Sequence, residues 1–143
     1  MVINGNSSNN PNNRSFFVNG TAGGSSSWNV DSDARMKKNI NSITDALEKV
    51  IRLRGVNFEW DDSINEESGI KMGFIAQEAV NIVPEVVTYN NDHYSMQYAP
   101  ITALLVEAMK KQQQQIEQQG KEINELKTLV NSLISNQTKQ GNK

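Results

Sequence analysis

The sequence has no cysteine and only one histidine, His93, among its 143 residues. Without thiols it can form no disulfide, no thiolate nucleophile and no cysteine-ligated zinc site. A single imidazole also excludes a two-histidine metal site within one chain, and a Ser-His-Asp triad would have to use His93. Any covalent hydrolysis would therefore be better served by Ser or Thr with a lysine base. We expect no metal and no other cofactor, and we interpret His93 as a hairpin residue.

Long apolar runs and an excess of one charge are also missing. Hydrophobic residues make up 36% of the chain, and 14 basic against 16 acidic side chains give a net charge of −2. No stretch approaches the ~20 apolar residues of a membrane span, and the opening MVING lacks the charged and apolar regions of a signal peptide. Near-neutral charge disfavours electrostatic binding to nucleic acid or anionic lipid. We expect a soluble domain with an appendage, and neither nucleic acid nor membrane as a partner.

The N-terminal part is poor in residues that can form a core. Residues 1–15 are almost entirely Asn, Ser, Gly and Pro, which cannot bury enough apolar surface to offset chain entropy. We interpret them as a flexible linker. Short β-type runs at 16–18 and 25–30 predict a stranded stalk over residues 16–31, and such short strands need other chains or the rest of the domain to pair with.

Short helical and strand patterns alternate over residues 32–99, which predicts a small mixed body. Apolar residues at helical spacing predict a helix over residues 41–53, with Asn41 or Ser42 as its N-cap. Asn90-Asn91-Asp92 has the composition of a hairpin turn. The remaining predictions are strands at 56–60, 71–75, 86–89 and 93–96, and one or two helical turns over 77–82.

The C-terminal part has a different, seven-residue periodicity. From Pro100 to about residue 137 only Gly120 interrupts the helical pattern, and five consecutive heptads can be aligned. One seam consists of Met109, Ile116, Ile123 and Val130, and the other of Leu105, Gln112, Gln119, Leu126 and Leu133. This pattern predicts a coiled coil, although its mixed seams do not distinguish two strands from three. The alternative is a long surface helix packed on its own domain, which a body this small would not cover.

Three strings of sequence resemble one known family. They are Asp31 to Ile40 (DSDARMKKNI), Gly73 to Glu78 (GFIAQE), and Tyr98 followed by Leu104 to Lys110 (LLVEAMK). In this order and spacing they resemble the peptidase S74 family, the intramolecular chaperone domains that end phage tail spikes, tail fibres and endosialidases. The resemblance extends from about residue 16 to about residue 126. Residues 18–24 with Trp28 are similar to the β-rich fibre end that precedes such domains.

The resemblance implies an α+β fold with a β stalk, a mixed body, a long coiled-coil helix and an intertwined homotrimer. The chaperone domain would span residues 32–143, with the body at 32–99 and the helix at 100–137. Such domains promote trimerisation and folding of a phage fibre or spike, and then release themselves by autoproteolysis in cis. The protein would be a virion fibre or spike precursor, assembled in the host cytoplasm, whose partners are two further copies and the fibre that precedes residue 1.

The resemblance also implies the site residues. Ser32 would be the nucleophile and Lys37 its base, with cleavage between Asp31 and Ser32. Asp33, Arg35, Gln77 and Glu78 are the supporting candidates. For Gln77 and Glu78, orientation of the active region and structural capping remain open.

The chemistry and the spacing of this pair set two conditions. A lysine accepts a proton only when neutral, and the reference pKa of free lysine is about 10.4, so burial or neighbouring cations are needed. Arg35 and Lys38 could supply such crowding, Asp33 would oppose it, and three gathered copies would increase both crowding and burial. Positions five apart are separated by about 140° around an α-helix and lie on opposite faces of a strand. Either a turn brings Lys37 to Ser32 within one chain, which we favour, or the lysine comes from a neighbouring chain.

Three other interpretations remain open at this level. Residues 31–33 could be an ordinary helix cap before a solvated basic run. The chain could be a structural trimerisation module that does not cut. It could also be a receptor-binding fibre tip whose loops 61–69 and 89–94 contact a host glycan, although those loops are acidic and polar rather than rich in aromatic residues.

Overall fold

The computed structural model describes residues 30–61, 63 and 68–140. The predicted linker and residues 16–29 of the predicted stalk lie outside these described residues. In chain order the elements are a first 3-10 helix (Ala34–Met36), α1 (Ala46–Arg52), β1 (Val56–Phe58), β2 (Lys71–Gly73), α2 (Ala76–Ala79), a second 3-10 helix (Pro84–Val86), β3 (Val87–Asn90), β4 (His93–Met96) and α3 (Ile101–Gln140). The described chain is thus a mixed α/β structure with small sheets and a long C-terminal helix, which confirms that part of the predicted fold.

Helix α1 begins later than the sequence pattern predicts. Its N-cap is Asp45, whose backbone is left-handed with φ of 55° and whose side chain makes no capping hydrogen bond. A right-handed helix cannot continue through such a residue, and Asp tolerates this conformation better than most residues do. The predicted start at residue 41, with Asn41 or Ser42 as the cap, was therefore wrong. Residues 41–45 instead lead as non-helical chain into the helix.

Each of the two sheets in the described part of the chain is one antiparallel pair of strands. β1 pairs with β2 so that Val56 lies opposite Gly73 and Phe58 opposite Lys71. β3 pairs with β4 through a two-residue turn at Asn91 and Asp92, whose φ angles are 48° and 60°. Positive φ at both positions matches the right-handed twist of a hairpin, and Asn and Asp adopt it readily. The predicted hairpin is confirmed, with His93 as the first residue of β4.

The core lies where α1 and α2 meet the first two turns of α3. Its buried members are Ala46, Ala79, Val83, Val86, Ile101, Leu104 and Ala108. Three of these seven are alanines, one each from α1, α2 and α3, and small side chains allow the helices to approach closely. Partly buried residues that include Leu47, Phe74 and Met96 pack around them. The core therefore holds the start of α3 in place, and its buried members include no residue of that helix after Ala108.

Beyond Ala108, the described chain buries no side chain of helix α3 up to residue 137. Every described side chain from Met109 to Gln137 is exposed, and the apolar residues of both predicted seams are at least half exposed from Met109 onward. For example, Ile123 is 50% and Leu126 60% exposed. The alternative of a helix packed along its own domain is thus contradicted over residues 109–137. Among the described helices, none combines the length and the apolarity needed to cross a membrane.

Gly73 ends β2 and lies against Tyr98, in the segment before α3. The Tyr98 hydroxyl accepts a hydrogen bond from the Phe74 amide at 2.9 Å, and the two rings meet edge to face at 5.5 Å. A Cβ on Gly73 would collide with that hydroxyl and lie 3.3 Å from the Phe58 ring. Glycine is therefore required here for space.

We expect Gly73→Ala to lower the free energy of unfolding by about 1–3 kcal/mol, the usual cost of overpacking. Urea unfolding would measure it, with Gly55→Ala as the control because a Cβ there meets nothing within 4 Å. In a Tyr98→Phe background the same substitution should cost less, because the colliding oxygen is gone. Equal costs for Gly73→Ala and Gly55→Ala would contradict this account.

Candidate functional site

The candidate site is built on the tight turn of the first 3-10 helix. Asp33 is the N-cap, and its carboxylate accepts a hydrogen bond from the Arg35 amide at 2.9 Å. The Met36 amide donates to the Asp33 carbonyl, and the Lys37 amide donates to the Ala34 carbonyl, both at 3.1 Å. Lys37 then returns to extended backbone, with φ of −116° and ψ of 150°. The segment thus reverses direction within the five residues that separate Ser32 from Lys37.

This turn brings the two candidate catalytic side chains into direct contact. The Lys37 Nζ donates to the Ser32 Oγ at 2.7 Å, within one chain. Neither an α-helix nor a strand could make this contact at such spacing, and one 3-10 turn does. The favoured geometry of the pair, a turn within the chain, is therefore the one observed. The catalytic roles of Ser32 and Lys37 stay predictions.

Asp33 and Arg35 form a second contact within the same turn. The Arg35 Nε lies 3.1 Å from each Asp33 carboxylate oxygen, and its Nη2 lies 2.6 Å from Oδ2. The guanidinium, with help from the Arg35 amide, lowers the pKa of Asp33, and the carboxylate in turn raises the pKa of Arg35. The charge of Arg35 is therefore compensated by Asp33. It is not an unpaired cation that would favour a neutral Lys37, as the sequence had suggested it could be.

Solvent surrounds this segment in the single chain. Every residue from Val30 to Asp45 is exposed, and none of the 3-10 helix is buried. Four of the exposed side chains are large and apolar: Val30, Met36, Ile40 and Ile43, at 80%, 72%, 69% and 38% exposure. Within one described chain the pair therefore lacks the burial that would favour a neutral lysine. The apolar side chains beside it offer a surface that another molecule could cover.

The other two supporting candidates, Gln77 and Glu78, lie in α2. Both are exposed, and Glu78 accepts from the Arg54 Nε at 3.0 Å and from its Nη2 at 2.5 Å. Hydrogen bonding to Arg54 lowers the pKa of Glu78. Glu78 thus ties α2 to the segment after α1, and its hydrogen bonds among the described residues do not reach Ser32 or Lys37. A role of Gln77 or Glu78 in orienting the site stays a prediction.

Sequence reasoning missed Arg54 altogether. It lies 24 positions before Glu78 and belongs to none of the motif strings, so no local signal points to the pair. The described residues also contain no cluster of three or more His, Asp or Glu side chains that could hold a metal ion.

Comparison with known proteins identifies relatives of this sequence. The family model Peptidase S74, described as chaperone of endosialidase, matches residues 32–88. This confirms the resemblance noted in the sequence. Among curated proteins, the long tail fibre protein Gp37 of Salmonella phage S16 is 29% identical over 113 residues, which cover 73% of this chain and 15% of that protein.

The Gp37 proteins of two other phages match over a shorter stretch. Those of Enterobacteria phages K3 and T2 are each 33% identical over 87 residues, or 57% of this chain, and 7% and 6% of their own lengths. The chain thus spans only a small part of the curated relatives that it matches.

Proposed function

We propose that this Peptidase S74 domain is the C-terminal chaperone of a phage tail fibre or spike, which promotes trimerisation and folding and then cuts itself off between Asp31 and Ser32. The observation that carries the proposal is the 2.7 Å contact between Ser32 Oγ and Lys37 Nζ. The family match begins at Ser32, the residue after the proposed cut. In this proposal residues 16–31 are the fibre-end stalk and residues 32–143 the released chaperone.

The proposed reaction is an N-to-O acyl shift followed by hydrolysis. Ser32 Oγ attacks the carbonyl carbon of Asp31 while Lys37 takes the hydroxyl proton. The peptide C–N bond then breaks, the lysine returns the proton to the departing Ser32 amine, and Asp31 is left as an ester on Ser32 Oγ. Water hydrolyses the ester, which yields a carboxylate at Asp31 and restores the Ser32 hydroxyl. A charged Lys37 donates to Ser32 across the 2.7 Å contact, and a neutral one can accept from it.

Assembly into a trimer would supply the burial and the neighbouring cations that the Ser32–Lys37 pair lacks in a single chain. The pair is exposed in one chain, and a neutral lysine needs burial or neighbouring cations. The apolar seam residues of α3 form an exposed stripe along the helix, and a continuous exposed apolar stripe is typical of an association surface. Three copies around one axis would cover the stripe and gather three copies of the turn. In this proposal cutting therefore waits for the trimer.

The receptor-binding alternative has less support. Loop 61–69 lies partly outside the described residues. In loop 89–94 the Tyr89 hydroxyl donates to Asp92 at 2.6 Å, so this polar group serves the hairpin itself. The non-cutting module differs from our proposal in one measurable respect, the state of the Asp31–Ser32 bond.

Electrophoresis under denaturing conditions, intact-mass measurement and light scattering on the purified chain would test the proposal. We expect a product of residues 32–143 that begins at Ser32, and a native mass of three chains before cutting. A trimer in which every chain stays whole would favour the non-cutting module. A monomer at micromolar concentration would contradict the proposed assembly.

A further inference from the structure

We propose that Asp33 is a positioning residue for the Ser32–Lys37 pair, and that Arg35 acts by engaging the Asp33 carboxylate so that Lys37 stays on Ser32. This inference rests on the proposed function, since it concerns how the cutting pair is held. Neither residue would touch the reacting atoms.

The first step concerns the stability of the turn. A 3-10 helix of three residues is marginal in water, and no residue of this one is buried, so tertiary packing does not hold it. What holds it is local: the Asp33 carboxylate accepts from the Arg35 amide, and two backbone bonds close the turn. Loss of an N-cap oxygen destabilises the start of a helix, because the amide that donated to it loses its partner. Without it, the approach of Lys37 to Ser32 should become a minor conformation.

The second step concerns competition for the carboxylate. Asp33 follows Ser32 directly, and its carboxylate could pair with the Lys37 ammonium instead of the Arg35 guanidinium. A carboxylate paired with Lys37 would stabilise the charged lysine and draw it from Ser32, and either effect removes the base. In the structure both Asp33 oxygens instead accept from Arg35, in the forked geometry that guanidinium favours over ammonium. Lys37 is left to donate to Ser32.

The third step concerns which other charges act on the lysine. The charged groups around it in its own segment are Asp31, Asp33, Arg35 and Lys38. Within the described chain, the hydrogen bonds and ion pairs of residues 31–38 stay inside that segment. Removing the negative charge of Asp33 should therefore favour the neutral form of Lys37, and removing the positive charge of Arg35 should favour its charged form.

The test compares cutting rates across pH for four variants. Asp33→Ala removes both cap and charge, and we expect at least a tenfold slower cut. Asp33→Asn keeps a capping oxygen and removes the charge that compensates Arg35. The pH at which the cutting rate begins to rise should therefore be lower than in the wild type. Arg35→Gln keeps the cap and frees the carboxylate for Lys37, so the rise should move to higher pH. Lys38→Gln is the matched control for lost positive charge, and it should shift the profile less than Arg35→Gln.

A second measurement separates this inference from the proposed function. In the Ser32→Ala chain, which we expect not to cut, NMR can follow the titration of the Lys37 amine. The serine oxygen is absent there, so this measurement reports the effect of the neighbouring charges on Lys37 alone. We expect Arg35→Gln to move it to higher pH and Asp33→Asn to lower pH, whether or not the wild type cuts. If the wild type cuts but the two variants shift in the same direction, or no more than Lys38→Gln, the positioning role is wrong while the proposed function stands. If the shifts appear but the wild type never cuts, the proposed function fails and the charge arrangement holds.

Discussion

Ser32→Ala should abolish cutting at the Asp31–Ser32 bond and leave the assembly unchanged. The substitution removes one oxygen from an exposed residue, so it takes away the nucleophile and the acceptor of the Lys37 hydrogen bond with little effect on packing. Lys37→Ala should reduce cutting nearly as much, because no other base lies within hydrogen-bond reach in the described geometry. Lys37→Arg should not restore it, since a guanidinium stays charged at any usable pH.

Time courses of fragment formation by electrophoresis and intact mass would measure these effects. Ser42→Ala and Lys38→Ala are matched controls, because both are exposed positions of the same segment and neither belongs to the pair. The wild-type rate should also fall at low pH, where a protonated amine cannot accept the serine proton. Cutting of Ser32→Ala as fast as the wild type would overturn the self-processing assignment. The non-cutting trimerisation module would then be the better interpretation.

The fold was predictable from the sequence where one local rule decides the conformation. The hairpin follows from Asn91 and Asp92, which accept positive φ, and the length of α3 follows from its heptads. The start of α1 was not predictable, because Asp45 adopts a left-handed backbone that the helical spacing of its neighbours does not reveal. The need for glycine at position 73 was not predictable either, because it arises from a collision with Tyr98, which is distant in sequence.

The candidate site was likewise only partly predictable from the sequence. Ser32 and Lys37 were found through a motif, and their spacing required a turn if one chain held both. The pairing of Asp33 with Arg35 could not be predicted from the sequence. The Asp33 carboxylate could have paired with Arg35 or with Lys37, and only the three-dimensional structure shows which of them it contacts. The contact of Arg54 with Glu78 joins two elements whose arrangement depends on the whole core.

The second large effect is expected on α3, where Ile123 and Leu126 lie in the two seams. Replacing both with Asp places two charges per chain in the proposed interface, where unpaired buried charge costs several kcal/mol. We expect light scattering to show the mass of one chain instead of three. Because the exposed pair would then lack its cover, cutting should be lost as well. The body should remain folded, since neither residue contributes to its core.

The matched control places the same charges on the opposite face of the same helix. Asn124→Asp with Thr128→Asp adds two carboxylates about 150° around the helix from the seams, so assembly and cutting should persist. If the seam variant stays trimeric, the apolar stripe is not the interface. If it is monomeric and still cuts at the wild-type rate, the Ser32–Lys37 pair needs no assembly, and the turn alone, held by Asp33 and Arg35, must make Lys37 a sufficient base.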